Sequence, residues 1–445
     1  MVREEVEMTL EEGKLLRSWY RKRKYNLSVF IVMKCLYAFE GSAISISALY
    51  YFQNVLKVRD PKLYYSLATG ALALSSMFSS AMVGRHVDRH RNLRQTSFVV
   101  GLFNIAGNLL YVLPFMNWLP IFGRFLCGIA DGVRPAYVGE ISRTYTSDEL
   151  APLAIRLDIY GIIAHALAPA SPVLFGGVNF KLFGLSFNQY NFVAVVLIFA
   201  TSLYLIMASF LLCDLTKEEG YEIFIKTTNM KSVNNSTGTD RMLSSWEMLT
   251  NPDIVLVLVT ILIIDFIYTQ GDLVVNMIAV NVFHWSIERL SVFPVITVFI
   301  AVAIMKGIQR LNTGVDIYFL IIVSAIGNSI SMNILTILAN CDIKSFILRS
   351  ILLLITLNLN LVVGYGITAF TTVLLSMVVP AHSMCSVIGL RMVAIKIALC
   401  LGYFTASTLF GVSKVFYPLI SVLCLALALT YLARRSVFLH KYCYQ

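Results

Sequence analysis

The chain carries little charge for its size: 13% of its 445 residues are Asp, Glu, Lys or Arg, against 58% that are hydrophobic. A soluble protein of this length needs a far more polar surface, so an ordinary globular domain is excluded. The spacings that support enzyme chemistry are missing too. There is no phosphate-cradling glycine loop, no Cys/His metal cluster and no nucleophile–base arrangement, so no enzymatic activity, metal or cofactor is expected. The eight cysteines (Cys35, Cys127, Cys213, Cys341, Cys385, Cys400, Cys424 and Cys443) are scattered. They read as small apolar residues of the spans, not as a disulfide framework. The N-terminus shows no short apolar core followed by small residues, so no cleavable signal peptide is expected.

Apolar runs are what the chain has in abundance, with a mean hydropathy of +0.76. A run of about 20 residues is what a helix needs to cross the hydrocarbon layer. Twelve such spans can be drawn, near residues 27–52, 63–83, 95–114, 118–140, 152–177, 191–213, 253–280, 291–309, 316–338, 347–378, 384–411 and 414–433. The expected protein is therefore an all-α membrane protein of twelve transmembrane helices. One long polar interlude, from Asp214 to Asn251, contains "KSVNNSTGTD" and reads as a linker. It divides the chain into an N-terminal tail (1–26), a six-helix bundle (27–213), the linker (214–252), a second six-helix bundle (253–436) and a C-terminal tail (437–445). Near-equal halves suggest an internal duplication, common in transporters that rock around a central site.

The net charge of +10 belongs mostly to residues flanking the spans, so it sets orientation and does not point to nucleic acid. The N-terminal tail holds "RKRK" (Arg21 to Lys24), and the loops after spans two and six and the C-terminal tail are basic. The loop after span three has no Lys or Arg, and those after five and seven have one each, Lys181 and Arg289. Both termini and the linker are therefore expected in the cytosol. The Asn-x-Ser/Thr sites at Asn26, Asn234 and Asn235 then read as chance matches on the side where glycosylation does not occur.

The cytosolic loop after span two is "GRHVDRHRNLR", Gly84 to Arg94. A positive-inside turn accounts for its arginines but not for an acid four residues past a glycine. The spacing Gly84-x-x-x-Asp88-Arg89 resembles the signature loop of the major facilitator superfamily, G-x-x-x-D-R-x-G-R-R. The tail departs from that pattern at Arg91, Asn92 and Leu93. Span four contains "GRFLCGIADG" (Gly123 to Gly132), similar to the family's G-R-F-L-x-G-x-G-x-G, with Ala130 in place of the second glycine of the triplet. Small residues there allow close helix packing. "APASP" (Ala168 to Pro172) stands where relatives carry G-P-x-x-G, and "GIQRLNTG" (Gly307 to Gly314) is a degenerate counterpart of the signature loop.

The resemblance implies two pseudo-symmetric six-helix bundles that work by alternating access. It implies that Gly84 lets the halves approach closely, and that Asp88, followed by Arg89, faces the start of span eleven and pairs with Arg143, latching the outward-open state. A carboxylate at a helix N-terminus is favoured by roughly 0.3–1 kcal/mol, enough to bias a nearly balanced equilibrium. Within the superfamily, "GRFLCGIADGVRPAYVGEISRTYTSDELAPLAIR" and "FNQYNFVAVVLIFATSLYLIMASFLL" resemble the lysosomal ceroid-lipofuscinosis-type branch. "EEGKLL" fits an acidic dileucine sorting signal, Glu11-x-x-x-Leu15-Leu16, of the kind clathrin adaptors read in cytosolic tails. A lysosomal or endosomal membrane is the expected address, with the plasma membrane as the alternative.

Charges inside a membrane are costly, and each is a functional hypothesis. Span four carries Arg124, Asp131 and Arg134; a seven-residue interval is only about 20° around a helix, so Arg124 and Asp131 share a face. Pro135 is expected to bend that helix. Span five has Asp158 and His165, span seven Asp265 and Asp272, span one Lys34 and Glu40, and span eleven Arg391 and Lys396. Mutual pairing that only fixes helix packing is the bland account, and it suits Arg156 and Arg391 near the cytosolic ends. Arg124, Asp131, Arg134, Asp265, Asp272 and His165 are the candidates for a substrate or proton pathway, although a lone histidine such as His165 is more often a packing residue. Asp131, near two arginines, is expected to be a fixed ion partner. Asp272, beside Gly271 and without a cation in its own helix, is the expected proton carrier.

The expected function is secondary active transport of a small-molecule or ion substrate across a lipid bilayer, with proton coupling if the address is lysosomal. Mixed interior charges also suit a channel-like, anion-permeable pathway, which stands as the alternative. A seven-span receptor is disfavoured by the span count.

Overall fold

The computed structural model describes residues 9–113, 115–168, 175, 177–182, 185–228, 244–278, 282–283, 287–311, 317–341, 343–380, 383–409 and 412–442. Helices dominate because hydrocarbon offers backbone groups no partner, so each span must satisfy its own N–H and C=O groups. The helices α1 (Leu10–Tyr50), α2 (Pro61–His90) and α3 (Leu93–Val112) come first. They are followed by α4 (Leu119–Asp131), α5 (Arg134–Thr144), α6 (Ser147–Leu167) and α7 (Phe192–Leu211). The short helices α8 (Glu219–Thr227) and α9 (Ser245–Thr250) lie in the interlude. The rest are α10 (Pro252–Met277), α11 (Ile287–Leu311), α12 (Ile317–Asn340), α13 (Phe346–Val378), α14 (Met384–Leu409) and α15 (Ser413–Tyr442). Among the described residues, nine helical segments are long and apolar enough to cross a membrane.

Local signals set several boundaries. The Asp60 carboxylate accepts from Leu63 N and Pro61 opens α2, where its missing N–H costs nothing. The same helix stops at Arg91, whose φ of 52° is left-handed and whose N–H bonds Val87 O. The fourth expected span is two helices: α4 ends at Asp131, and α5 restarts at Arg134 with Pro135 in its first turn. Gly132, in the break, lies against Ser79, which a Cβ would overlap.

The far end of the expected fifth span, residues 169–174 and 176, lies outside the described residues. Helix α6 is described as far as Leu167, and further along the chain a hairpin of β1 (Asn179–Leu182) and β2 (Leu185–Asn188) pairs Asn179 with Asn188 and Phe180 with Phe187. Most of "APASP", from Pro169 to Pro172, lies outside the described residues, as do Asn312 to Gly314 of "GIQRLNTG" and the "KSVNNSTGTD" run with Asn234 and Asn235.

Two compact units can be recognised. The first comprises Met1–Leu150, Leu167–Ser245 and Val379–Val393; the second comprises Ala151–Ala166, Trp246–Val378 and Ala394–Gln445. In the first unit a buried core joins Ala43, Ile44, Tyr51, Tyr111, Val193 and Leu197. A separate aromatic cluster fastens the start of α1 to the interlude. Trp19 donates from Nε1 to Leu215 O at 3.1 Å and stacks on Phe224 at 4.7 Å. Beside it Arg23 pairs with Glu149 and donates to Thr144 O. In the second unit Ile267, Val274, Met332, Leu335, Leu353, Tyr417 and Cys424 form the core. Large apolar side chains such as Phe199, Phe210, Phe299 and Val415 stand exposed on the outer faces, as surfaces covered by lipid do.

Candidate functional site

The signature loop lies against the start of α14, inside the first unit. Gly84 is required there, since a Cβ would overlap the Cys385 carbonyl, and Gly139 of α5 is pressed equally closely on Cys385. That approach delivers Asp88, at the end of α2, to the helix N-terminus. Its carboxylate accepts the N–H of Cys385 at 3.1 Å and that of Ser386 at 2.5 Å, and also the Ser386 hydroxyl. Arg143 pairs with the same carboxylate, and both side chains are fully buried. Two of α14's orphan N–H donors and a guanidinium thus converge on one negative charge. Glu140, which sequence reasoning passed over, holds a carboxylate oxygen 3.6 Å from Arg143 Nη1. Its i,i+3 spacing before Arg143 was the available signal. Arg89 is exposed.

Deeper in the same unit, four charged groups sort into two pairs. Arg124 donates from Nη1 to Glu40 Oε1 at 3.0 Å, and Glu40 also accepts from Asn104 Nδ2 at 2.8 Å and Asn108 Nδ2 at 3.2 Å. Thr201 in turn donates to Asn104 Oδ1. Asp131 instead accepts the Ser76 hydroxyl at 2.6 Å and lies 2.5 Å from Arg134 Nε, the last two out of hydrogen-bond alignment. Arg124 and Asp131, expected to share one face, thus take different partners. Glu40 was visible as an intramembrane charge, but only the fold brings α1 against α4.

Polar groups of the second unit are mostly uncharged. On α10, the Asp265 carbonyl accepts the Thr269 hydroxyl, and Gln270 Nε2 donates to Gly402 O and Thr405 Oγ1. Gly271 packs under the Asn360 amide, whose Oδ1 accepts from Ser331. Asn328 is 1% exposed, and neither its Oδ1 nor its Nδ2 has a hydrogen-bond partner among the described residues. Asp265 is buried; Asp272 lies on the same helix, and its side chain is outside the described ones. Asp158 is buried and His165 half-buried, both on α6. Among the described residues no group of three or more His, Cys, Asp or Glu is placed to hold a metal ion.

The dileucine residues are helical. Glu11 and Leu15 are exposed, while Leu16 packs against the Trp19–Leu215–Phe224 cluster. Asn26 is buried and bonds both the N–H and the carbonyl of Cys213.

No family model matches the chain. Its likeness to solved structures is extensive. It superposes on the proton:xylose symporter XylE bound to 6-bromo-6-deoxy-D-glucose with a TM-score of 0.71, over 94% of this chain and 95% of that one, at 13% identity. The chain has the major facilitator fold. The human organic anion transporter MFSD10 shares that fold at a TM-score of 0.63 and 10% identity, covering 95% of this chain and 100% of its own. In sequence, a segment of 108 residues is 35% identical to solute carrier family 2, facilitated glucose transporter member 2, of Gallus gallus. That segment is 23% of this chain and spans only 20% of the relative. These neighbours with the major facilitator fold are transporters by name, and their named solutes range from sugars to organic anions.

Proposed function

We propose that the chain is a secondary active transporter that moves a small hydrophilic solute across a lipid bilayer by alternating access, coupled to protons, in the lysosomal or endosomal membrane. Two six-helix halves, twelve spans and cytosolic termini complete this reading. The observation that carries it is the seat of Asp88. A buried carboxylate joined to Arg143 and to the N–H groups of Cys385 and Ser386 is a contact that closes or opens as a unit. The buried Glu40–Arg124 pair, with its two asparagines, supplies a fixed polar centre within the first unit. Burying an ion pair is costly against apolar packing, so its presence points to function more than to stability.

The lysosomal address rests on the likeness of span four to the ceroid-lipofuscinosis-type branch and on Glu11, Leu15 and Leu16, read by clathrin adaptors. Proton coupling is assigned to α10, where Asp265 and Asp272 have no basic residue in their own helix. Asp272 is the carrier in this reading, while Glu40 and Asp131 remain paired with arginines. The test uses the purified protein in proteoliposomes with an acidic exterior or interior and a panel of radiolabelled sugars and organic acids. Wild type accumulates a solute against its gradient when the pH gradient is imposed. Asp272→Asn loses that accumulation yet still exchanges the solute at equal pH. Accumulation by Asp272→Asn at the wild-type level removes the aspartate from the coupling step, and flux too fast for a carrier favours a channel instead.

A further inference from the structure

The two ion pairs of the first unit are not equivalent. The Arg124 and Glu40 side chains are 6% and 4% exposed, and asparagines complete the carboxylate's bonding. Arg134 is different: its side chain is 31% exposed, although its Asp131 partner is 5% exposed. Three features hold the guanidinium in place. Asp131 sits at its Nε edge and is itself fixed by the Ser76 hydroxyl. The Tyr37 ring lies beneath it, with Cζ 5.3 Å from the ring centroid, and that ring is anchored by a hydrogen bond from its hydroxyl to Ala130 O at 3.0 Å. Arg134 also opens α5 at the break after Asp131, so the positive end of that helix adds to its charge.

What remains is the other edge of the fork. Among the described residues, neither Nη1 nor Nη2 of Arg134 has a hydrogen-bond partner. A guanidinium presents its donors in a plane that matches a carboxylate or phosphate bidentately. One held at Nε and stacked on a ring has lost little further freedom when it binds. A snorkelling arginine would extend to the membrane surface. This one is drawn back onto Asp131 and Tyr37, and none of the described residues meets its Nη groups.

We infer that Arg134 is the anion receptor of this protein: its free Nη edge binds the carboxylate or phosphate group of the transported solute, with Asp131, Ser76 and Tyr37 as its positioning residues. This inference rests on the transporter reading and names its substrate class, an organic anion, over the neutral sugars. Two charge-assisted hydrogen bonds give a preference of about tenfold to a hundredfold for the anion over a neutral analogue of similar shape.

The test measures ligand-induced thermal stabilisation of the full chain in detergent at constant ionic strength. The probes are acetate, lactate, succinate, gluconate, benzoate and inorganic phosphate, with lactamide and glucose as neutral counterparts. At least one anion is expected to stabilise the wild type in a saturable way. Arg134→Gln abolishes that response, and Arg134→Lys, which keeps the charge but not the fork, weakens the apparent affinity by about tenfold. Asp131→Asn, which loosens the fork's orientation, weakens the same anion and no neutral probe. If no anion stabilises wild type more than Arg134→Gln, with both variants monodisperse and folded, the receptor assignment is overturned. Uptake of the same probes into proteoliposomes separates this from the broader reading. Arg134-dependent binding without saturable uptake keeps the anion site and removes transport. Saturable uptake of glucose that Arg134→Gln leaves intact keeps transport and removes the anion site.

Discussion

Replacing Asp88 by Asn leaves the shape of the side chain and removes its charge, which makes it the sharpest probe of the latch. In the state described here, the carboxylate accepts two backbone N–H groups and a hydroxyl and pairs with Arg143, whose side chain is fully buried. An amide can accept one of those N–H groups but turns a donor towards another, and it strands the guanidinium. Breaking a buried pair by neutralising one partner costs about 3–5 kcal/mol. Glu140, 3.6 Å from Arg143 Nη1, recovers part of that. The latched state should therefore lose about 3 kcal/mol relative to an unlatched one in which Asp88 is hydrated, a shift of roughly a hundredfold in their ratio. Cys385 supplies the assay. Its thiol is buried against Gly139 and the Ala136 carbonyl, so a maleimide reaches it only when α14 leaves the end of α2. Labelling of the Cys385 peptide in membranes, followed by mass spectrometry, should accelerate by up to about a hundredfold in Asp88→Asn. Cys127, buried among α3 and α4 away from the latch, is the internal reference and should not change. An unchanged Cys385 rate refutes the latch, and a parallel rise at Cys127 marks general unfolding.

Other consequences are as specific. Glu40→Gln, which leaves Arg124 buried without its counter-charge, should destabilise the protein by about 3–5 kcal/mol in thermal unfolding, and adding Arg124→Met should restore part of the loss. Trp19→Ala removes the ring stacked on Phe224 and should lower stability by about 3–5 kcal/mol and open the 214–228 segment to limited proteolysis; an unchanged digestion pattern counts against the clamp. Burial pushes the Glu149 carboxyl up, but the Arg23 hydrogen bond and charge and the Thr146 contact outweigh it and hold it below the usual 4.5. Because its folded value is depressed, that pair's contribution is present above about pH 4.5 and is lost as the pH falls below it. Arg23→Gln should flatten that acid limb of a stability–pH profile. If the tail carries the proposed sorting signal, Leu15→Ala with Leu16→Ala should move the protein to the plasma membrane, and unchanged lysosomal residence, or no lysosomal residence of the wild type, sinks the assignment.

The helices were legible in the sequence because their signal is long and simple. Each apolar run maps to a helix or helix pair, and Pro135 marked the bend that became the α4–α5 break. The placement of Asp88 opposite α14 and beside Arg143 was also legible, since the resemblance of Gly84-x-x-x-Asp88-Arg89 to the family's signature loop implies it. What pairs with what inside the membrane was not. Sharing a face of span four put Arg124 and Asp131 together in one dimension, but partner choice is made by neighbouring helices: α1 brings Glu40 to Arg124, and α2 brings Ser76 to Asp131. The short hairpin between Asn179 and Asn188 was missed because four-residue strands carry no periodicity strong enough to compete with a neighbouring apolar run. The role of Trp19 was hidden for another reason. Its partners, Leu215 and Phe224, lie across an entire six-span block in sequence.

Counterflow tests alternating access most directly. Purified protein in proteoliposomes loaded with an unlabelled organic acid is given a trace of the same labelled acid outside, at equal pH and zero membrane potential. A carrier working by alternating access takes up the label transiently above its equilibrium level, and Asp88→Asn lowers that overshoot. Label that merely equilibrates, at a rate indifferent to the unlabelled solute inside, contradicts alternating access and leaves a pore.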